Sequence, residues 1–291
     1  MYMEDLLIIG SGPAGLGAAL YATRFSLKTS IIGIELGGIC NIVPRIDNWL
    51  GDPGITGPQM AKKFVDHVKL TKASFIQGEV ASIKKEGEHF VVTTENGSYE
   101  GLMILLANGM KHRELKIPGE KEYSGNGVHY CFTCDGPLYK DLVVCVVGGG
   151  CSAAIAALFL QDYAKKVYLI YRRKELIAEP ILVERLNASK KIEIIYETNL
   201  TEIYGDKNVK GIKTDNGRDI SLDGVFIEAG NIPLTALVKD IGVKLDEKGF
   251  IEVDKNMATN VKGVFSAGDV CNASSLKQFI TAVATGSIAA Q

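Results

Sequence analysis

Two observations predict an α/β chain built from two doubly wound, three-layer domains, each carrying a β-meander. An apolar strand, a Gly-rich turn and an apolar helix occur near the N-terminus, and the same order returns 138 residues later, from Gly10 to Gly148. Each copy is followed by a hairpin pattern and then by an apolar strand ending at small residues. The 291-residue length agrees, since domains average roughly 150 residues.

In the first copy, residues 5–10 (Asp-Leu-Leu-Ile-Ile-Gly) read as strand. Gly10-Ser11-Gly12-Pro13-Ala14-Gly15 reads as the turn, residues 16–21 as helix and residues 28–32 as a second strand. In the second copy, residues 141–147 are the strand and Gly148-Gly149-Gly150-Cys151-Ser152-Ala153 the turn. Residues 154–162 are the helix and 166–170 the second strand. Residues 90–94 before Asn96-Gly97, and 209–214 before Asn216-Gly217, read as hairpins with type I′ turns. Apolar strands at 102–109 and 225–230 close each half.

One G-x-G-x-x-G is weak evidence, but two copies, each between a strand and a helix, are specific for Rossmann-like dinucleotide-binding units. The first Gly makes the tight turn and the second lets backbone approach a pyrophosphate. The third, or the small Ala153, lets helix pack on strand. The helix start then offers unpaired N–H groups and a positive dipole end to the phosphates. The end of the second strand separates the two sites. Glu35 there suits a free adenosine ribose, as in FAD or NAD. Arg173, at the equivalent position with Arg172 beside it, suits the 2′-phosphate of NADP.

Composition removes other classes. With 32 basic and 34 acidic residues, no basic excess exists to track nucleic acid. Residues 142–160 carry no charge and are long enough to span a bilayer, but the three glycines split them into strand and helix, so no membrane partner is expected. Glu4 and Asp5 stand where a secretory signal would be basic, which points to the cytoplasm. Of six cysteines only Cys131 and Cys134 form C-x-x-C, and no second pair completes a structural zinc site. C-x-x-C spacing supports a redox disulfide with a lowered thiol pKa, and Asp135 next to it can carry the proton. Beside two dinucleotide sites, this pair implies electron flow from nicotinamide to flavin to disulfide.

At this point the chain resembles the low-molecular-weight thioredoxin reductases of bacteria and archaea, over nearly its whole length. The resemblance rests on residues 10–15, Gly37-Gly38, residues 47–52 (Asp-Asn-Trp-Leu-Gly-Asp), Cys131 to Gly136, residues 148–153, Arg172-Arg173 and residues 265–270 (Phe-Ser-Ala-Gly-Asp-Val). It implies a discontinuous FAD-binding domain, residues 1–111 and 241–291, and an inserted NAD(P)H-binding domain, residues 112–240, that carries the disulfide. FAD would be held by Gly10, Ser11, Gly12, Pro13, Ala14, Glu35, Gly37, Gly38, Asn48, Ala107, Gly109, Gly268, Asp269, Lys277, Gln278 and Phe279. NADPH would be held by Gly148, Gly149, Gly150, Cys151, Ser152, Ala153, Arg172 and Arg173. Cys134 would take electrons from the flavin, Cys131 would exchange with the disulfide of thioredoxin or a thioredoxin-like protein, and Asp135 would donate and accept protons. A homodimer is implied as well.

The sequence departs from the family pattern in places. The basic signature H-R-R-x-x-x-R reads Tyr171-Arg172-Arg173-Lys174-Glu175-Leu176-Ile177; loss of the last Arg brings NADH in as a possible donor. Cys151 stands for Asn, Asn108 for Thr, Ile39 for Gln and Phe132 for Ala. The family also leads one to expect a longer final helix. Two alternatives keep the fold: a flavin disulfide reductase fed by NADH, ferredoxin or a deazaflavin, and a ferredoxin–NADP reductase, which Cys131 and Cys134 disfavour. A third is a non-catalytic redox-sensing flavoprotein.

Overall fold

The computed structural model describes residues 3–291. The chain divides into two compact units, one formed by the segments up to Lys111 and from Pro233 onward, the other by His112–Ile232. The second crossing therefore falls at 232–233, not at 240–241. The reason is packing: Val238 and Ile241, in the 3-10 turn Ala236–Ile241, join the core that contains Ile83, Val243 and Ile251.

The first unit is organised by a seven-stranded sheet. Ser74–Gln77, Thr29–Gly33, Glu4–Ile9, the end of Gly97–Leu106 and Val264–Ser266 lie parallel in that order. Gly97–Leu106 serves two structures. Its first half pairs antiparallel with His89–Thr94, and its second half pairs parallel with Glu4–Ile9. Alternation along Glu4–Ile9 separates two cores. Leu6 and Ile8 pack with the helices Pro13–Arg24 and Phe279–Ala289, whereas Leu7 and Ile9 pack with the meander and the C-terminal segment. Burial on both faces is why these strands read as continuous apolar runs.

The second unit repeats the plan. Ile192–Ile195, Lys166–Ile170, Val143–Val147, Gly224–Ile227 and Val128–His129 form a parallel sheet. Val144 and Val146 face the helices Cys151–Leu160 and Pro180–Ala188; Cys145 and Val147 face a separate three-stranded meander, Leu200–Gly205, Val209–Thr214 and Asp219–Ser221. The uncharged run 142–160 is thus a strand and a ten-residue helix. Among the described residues no helix is long and apolar enough to cross a membrane.

The hairpin turns differ from expectation. Thr94 pairs with Gly97, which puts Glu95 and Asn96 in the loop. Neither has positive φ, so the turn is not type I′. In the second hairpin Gly217 is the left-handed residue (φ 80°) and Asn216 is not. Both loops are shaped by a threonine hydroxyl. Thr94 Oγ1 donates to Gly97 O at 3.2 Å, and Thr214 Oγ1 donates to Arg218 O at 3.1 Å and accepts from Arg218 N at 3.0 Å. These side-chain bonds compete with the type I′ conformation that Asn-Gly would otherwise favour.

Candidate functional site

In the first unit the Gly-rich turn is forced by close backbone approach. A Cβ on Gly10 (φ 110°) would stand 2.2 Å from Ala107 O. The first helical bond is Leu16 N to Gly12 O, so the N–H groups of Ala14 and Gly15 have no partner within the helix. A Cβ on Gly12 would meet nothing within 4 Å, leaving open space at that helix start.

The other first-unit candidates assemble around this turn. Ser11 Oγ donates to Glu35 O at 2.7 Å, and Gly37 N donates to Ser11 O at 2.9 Å. A Cβ on Gly38 would lie 3.0 Å from Gly12 Cα. Glu35 is exposed, and its carboxylate accepts from Asn41 Nδ2 at 2.9 Å. Gly268 meets the turn from the C-terminal segment: its Cβ would lie 2.8 Å from Ala14 Cβ, and its N–H donates to Thr285 Oγ1 at 2.9 Å. Burial pushes the Asp269 carboxyl up, opposed by Lys277, whose Nζ donates to Cys271 O at 2.6 Å. Asn48 Nδ2 donates to Gln278 Oε1 at 3.0 Å, and Phe279 packs against the buried cluster that contains Cys40. Gly109 (φ 69°) accepts from Leu234 N at 3.1 Å.

These residues fit an FAD on two observations. The open helix start at Gly12 suits a pyrophosphate. Asn108 Oδ1, flanked in sequence by Ala107 and Gly109, is buried without a hydrogen-bond partner, a state that a ligand donor would relieve. Sequence reasoning noticed Asn108 only as a departure and missed Asn41 and Thr285, which act through single polar contacts that no motif spacing encodes.

In the second unit, a Cβ on Gly148 (φ 152°) would lie 2.1 Å from Glu228 O and 2.9 Å from Ala153 Cβ. This is the same tight turn, with a small residue where the helix packs. The Tyr171 ring covers Gly149, and Ile177 N donates to Gly149 O at 2.8 Å. Gly150 again opens onto space, and Ala154 N to Gly150 O is the first helical bond. That leaves the N–H groups of Cys151, Ser152 and Ala153 without helical partners. Ser152, Arg172 and Arg173 are exposed, and Cys151 is half-buried.

The redox pair lies on the same unit. Cys131 and Cys134 are disulfide-bonded, with Cα atoms 5.4 Å apart. Cys131 caps the short helix Phe132–Asp135, its Sγ accepting from Cys134 N at 3.3 Å. Phe132 meets Phe159 edge-on at 5.6 Å, and a Cβ on Gly136 would lie 2.9 Å from Leu160. Gly136 therefore lets the redox turn dock on the helix that starts at the second Gly-rich turn. Asp135 Oδ2 lies 3.0 Å from Nδ1 of the buried His129. Sequence reasoning missed His129 and Tyr139, which bonds it.

Comparison with known proteins agrees with this geometry. The chain matches the pyridine nucleotide-disulphide oxidoreductase family over residues 4–286. A thioredoxin reductase from Listeria innocua is 38% identical over 295 residues, covering 99% of this chain and 92% of its own. Two solved structures share the fold. The Lactococcus lactis thioredoxin reductase is 35% identical with a TM-score of 0.95, covering 99% of this chain and 96% of its own. That of T. acidophilum is 38% identical with a TM-score of 0.94, covering 100% and 97%. The chain belongs to the pyridine nucleotide-disulphide oxidoreductases and, within them, to the low-molecular-weight thioredoxin reductases.

Proposed function

We propose that the chain reduces the disulfide of thioredoxin or a thioredoxin-like protein with electrons from NADPH. FAD would be bound by the first unit and the nicotinamide dinucleotide by the second. The observation that carries this reading is the Cys131–Cys134 disulfide next to Asp135, on the unit that also holds the second Gly-rich turn. Bound FAD supplies the link between a hydride donor and a disulfide. Two electrons and one proton open Cys131–Cys134 to one thiolate and one thiol, the proton coming from Asp135. The Cys131 thiolate, favoured by the Cys134 N–H that points at its sulfur, attacks one sulfur of the partner disulfide and releases the other as thiolate. Asp135 takes the proton from Cys134, whose thiolate attacks Cys131 Sγ, restores the intramolecular disulfide and frees the second partner thiolate.

Glu35 supports FAD over a 2′-phosphorylated nucleotide in the first unit, and Arg172-Arg173 support NADPH in the second. Ile177 sits on the second turn through its bond to Gly149 and brings no charge there, so NADH is a usable donor. The unpaired thiols of Cys40, Cys145, Cys151 and Cys271 suit a reducing cytoplasm. The homodimer implied by the resemblance completes the proposal.

The test is anaerobic mixing of the FAD-loaded protein with NADPH, and separately with NADH, while oxidised flavin absorbance is followed. Oxidised thioredoxin is then added. NADPH is expected to bleach the flavin and thioredoxin to restore it. If dithionite bleaches the flavin but neither nicotinamide does, the donor assignment is wrong. If bleached enzyme is not reoxidised by thioredoxin, the partner is wrong.

A further inference from the structure

Outside the motifs, the second unit carries a buried polar row beside the redox turn. His129 ends the short strand Val128–His129 and is 6% exposed. Its Nε2 lies 2.6 Å from Tyr139 Oη, and its Nδ1 lies 3.0 Å from Asp135 Oδ2. The ring stacks on Phe226 at 5.3 Å and meets Tyr139 edge-on at 5.4 Å. Gly224 leaves the space that Tyr139 fills, since a Cβ there would stand 2.3 Å from the phenol ring.

The direction of each hydrogen bond follows from the chemistry. Burial, with Asp135 and Asp223 nearby, pushes the Tyr139 phenol up to about 12. It keeps its proton and donates to Nε2. Burial also lowers the His129 pKa, with Asp135 opposing, so the ring is neutral. A neutral imidazole that accepts at Nε2 must carry its proton on Nδ1, and that N–H points at Asp135. A relay through the row is disfavoured, because its far end would have to become a tyrosinate.

We propose that His129, locked by Tyr139 as the Nδ1–H tautomer, is the positioning residue that holds the Asp135 carboxylate in place at the Cys131–Cys134 pair. The inference rests on Asp135 being the proton carrier of that pair. A donor 3.0 Å from the carboxylate fixes its rotamer beside the cysteine pair. Losing the donor should slow thiol–disulfide exchange about tenfold, the loss of roughly one hydrogen bond to a carboxylate.

The test uses the FAD-loaded full chain in two measurements. The first is 15N NMR of histidine-labelled protein, with His129 assigned by its disappearance in His129→Phe. It should show one neutral Nδ1–H tautomer at pH 7 to 8. An Nε2–H tautomer, or protonation of the ring in that range, would overturn the proposal. Tyr139→Phe should let the Nε2–H form appear, and no change in tautomer would overturn the lock. The second measurement is exchange of the chemically reduced protein with a small aromatic disulfide from pH 4.5 to 8, which needs no nicotinamide or thioredoxin. His129→Phe should slow the exchange about tenfold across this range, and His129→Asn, whose amide can donate from near the Nδ1 position, should return most of the rate. A loss of rate in His129→Phe that His129→Asn does not relieve would mark a merely structural role and sink the proposal. If Asp135→Asn leaves the wild-type exchange rate in place, Asp135 is not the carrier, and that outcome overturns the underlying reading separately.

Discussion

Replacing Glu228 should change how the stability of the second unit depends on pH. Glu228 follows the strand Gly224–Ile227, its N–H donating to Val147 O at 2.8 Å and its carbonyl pressed against Gly148. The residue is 8% exposed, and burial pushes its carboxyl up to about 8 from 4.5. The folded unit therefore keeps this proton up to about pH 8, whereas the unfolded chain releases it near pH 4.5. Between those values the folded state binds more protons, so stability is fully present below the lower value and falls as pH rises. One proton corresponds to about 1.4 kcal/mol per pH unit, which accumulates to roughly 3 kcal/mol by pH 7 and approaches 5 kcal/mol above pH 8. Glu228→Gln keeps the size and removes the titration. Calorimetric unfolding of wild type and variant at pH 5, 6, 7 and 8 is the assay. The expected result is a variant-minus-wild-type difference that grows in the variant's favour as pH rises and levels off above pH 8. A difference that stays flat across this range would refute the argument, because Glu228 would then titrate alike in both states.

Three further outcomes follow from close contacts and chemistry. In Gly286→Val, the new Cβ would stand 2.0 Å from Ala14 O, forcing the final helix off the first Gly-rich helix at a cost of about 3 kcal/mol or more; the melting temperature should fall by roughly 10 °C, and retained flavin, read by absorbance ratio, should drop. Ile177→Arg places a cation beside the turn its N–H already holds, and should tighten NADPH about tenfold in KM while leaving NADH nearly unchanged. Cys134→Ser removes the resolving thiol, so Cys131 should trap a covalent mixed disulfide with thioredoxin visible on a non-reducing gel, and Cys131→Ser should not.

What was legible in the sequence was what backbone geometry dictates locally. Gly10 and Gly148 announce themselves because no other residue suits positive φ with a carbonyl about 2 Å from its missing Cβ. The apolar runs before them are readable because both faces of each parallel sheet are covered. The redox pair was readable because a three-residue separation on one helical turn brings two sulfurs together whatever the fold. The hairpin turns were misread because Asn-Gly is a statistical preference, and the Thr94 and Thr214 hydroxyls form local bonds that compete with it. The second unit boundary was displaced because Val238 and Ile241 belong to a core assembled from distant segments.

His129 marks where such reading ends, for a physical reason. Its partners Asp135 and Tyr139 come from a short helix and a 3-10 turn, and its stacking partner Phe226 from a strand nearly a hundred residues away in the chain. No single periodicity spans a strand, a helix and a turn, so no spacing rule aligns the three polar groups. What brings them together is two small residues whose role is visible only in space. Gly136 lets the redox turn settle on Leu160, and Gly224 lets Tyr139 slide beneath the histidine. A side chain at Gly224 would displace Tyr139, remove the donor at Nε2 and free the imidazole to switch tautomer. Gly224→Ala should therefore disturb the His129 tautomer, as Tyr139→Phe should. Histidine NMR of that variant is the check: an unchanged Nδ1–H tautomer would show that Tyr139 keeps its bond to Nε2 without the space that Gly224 leaves.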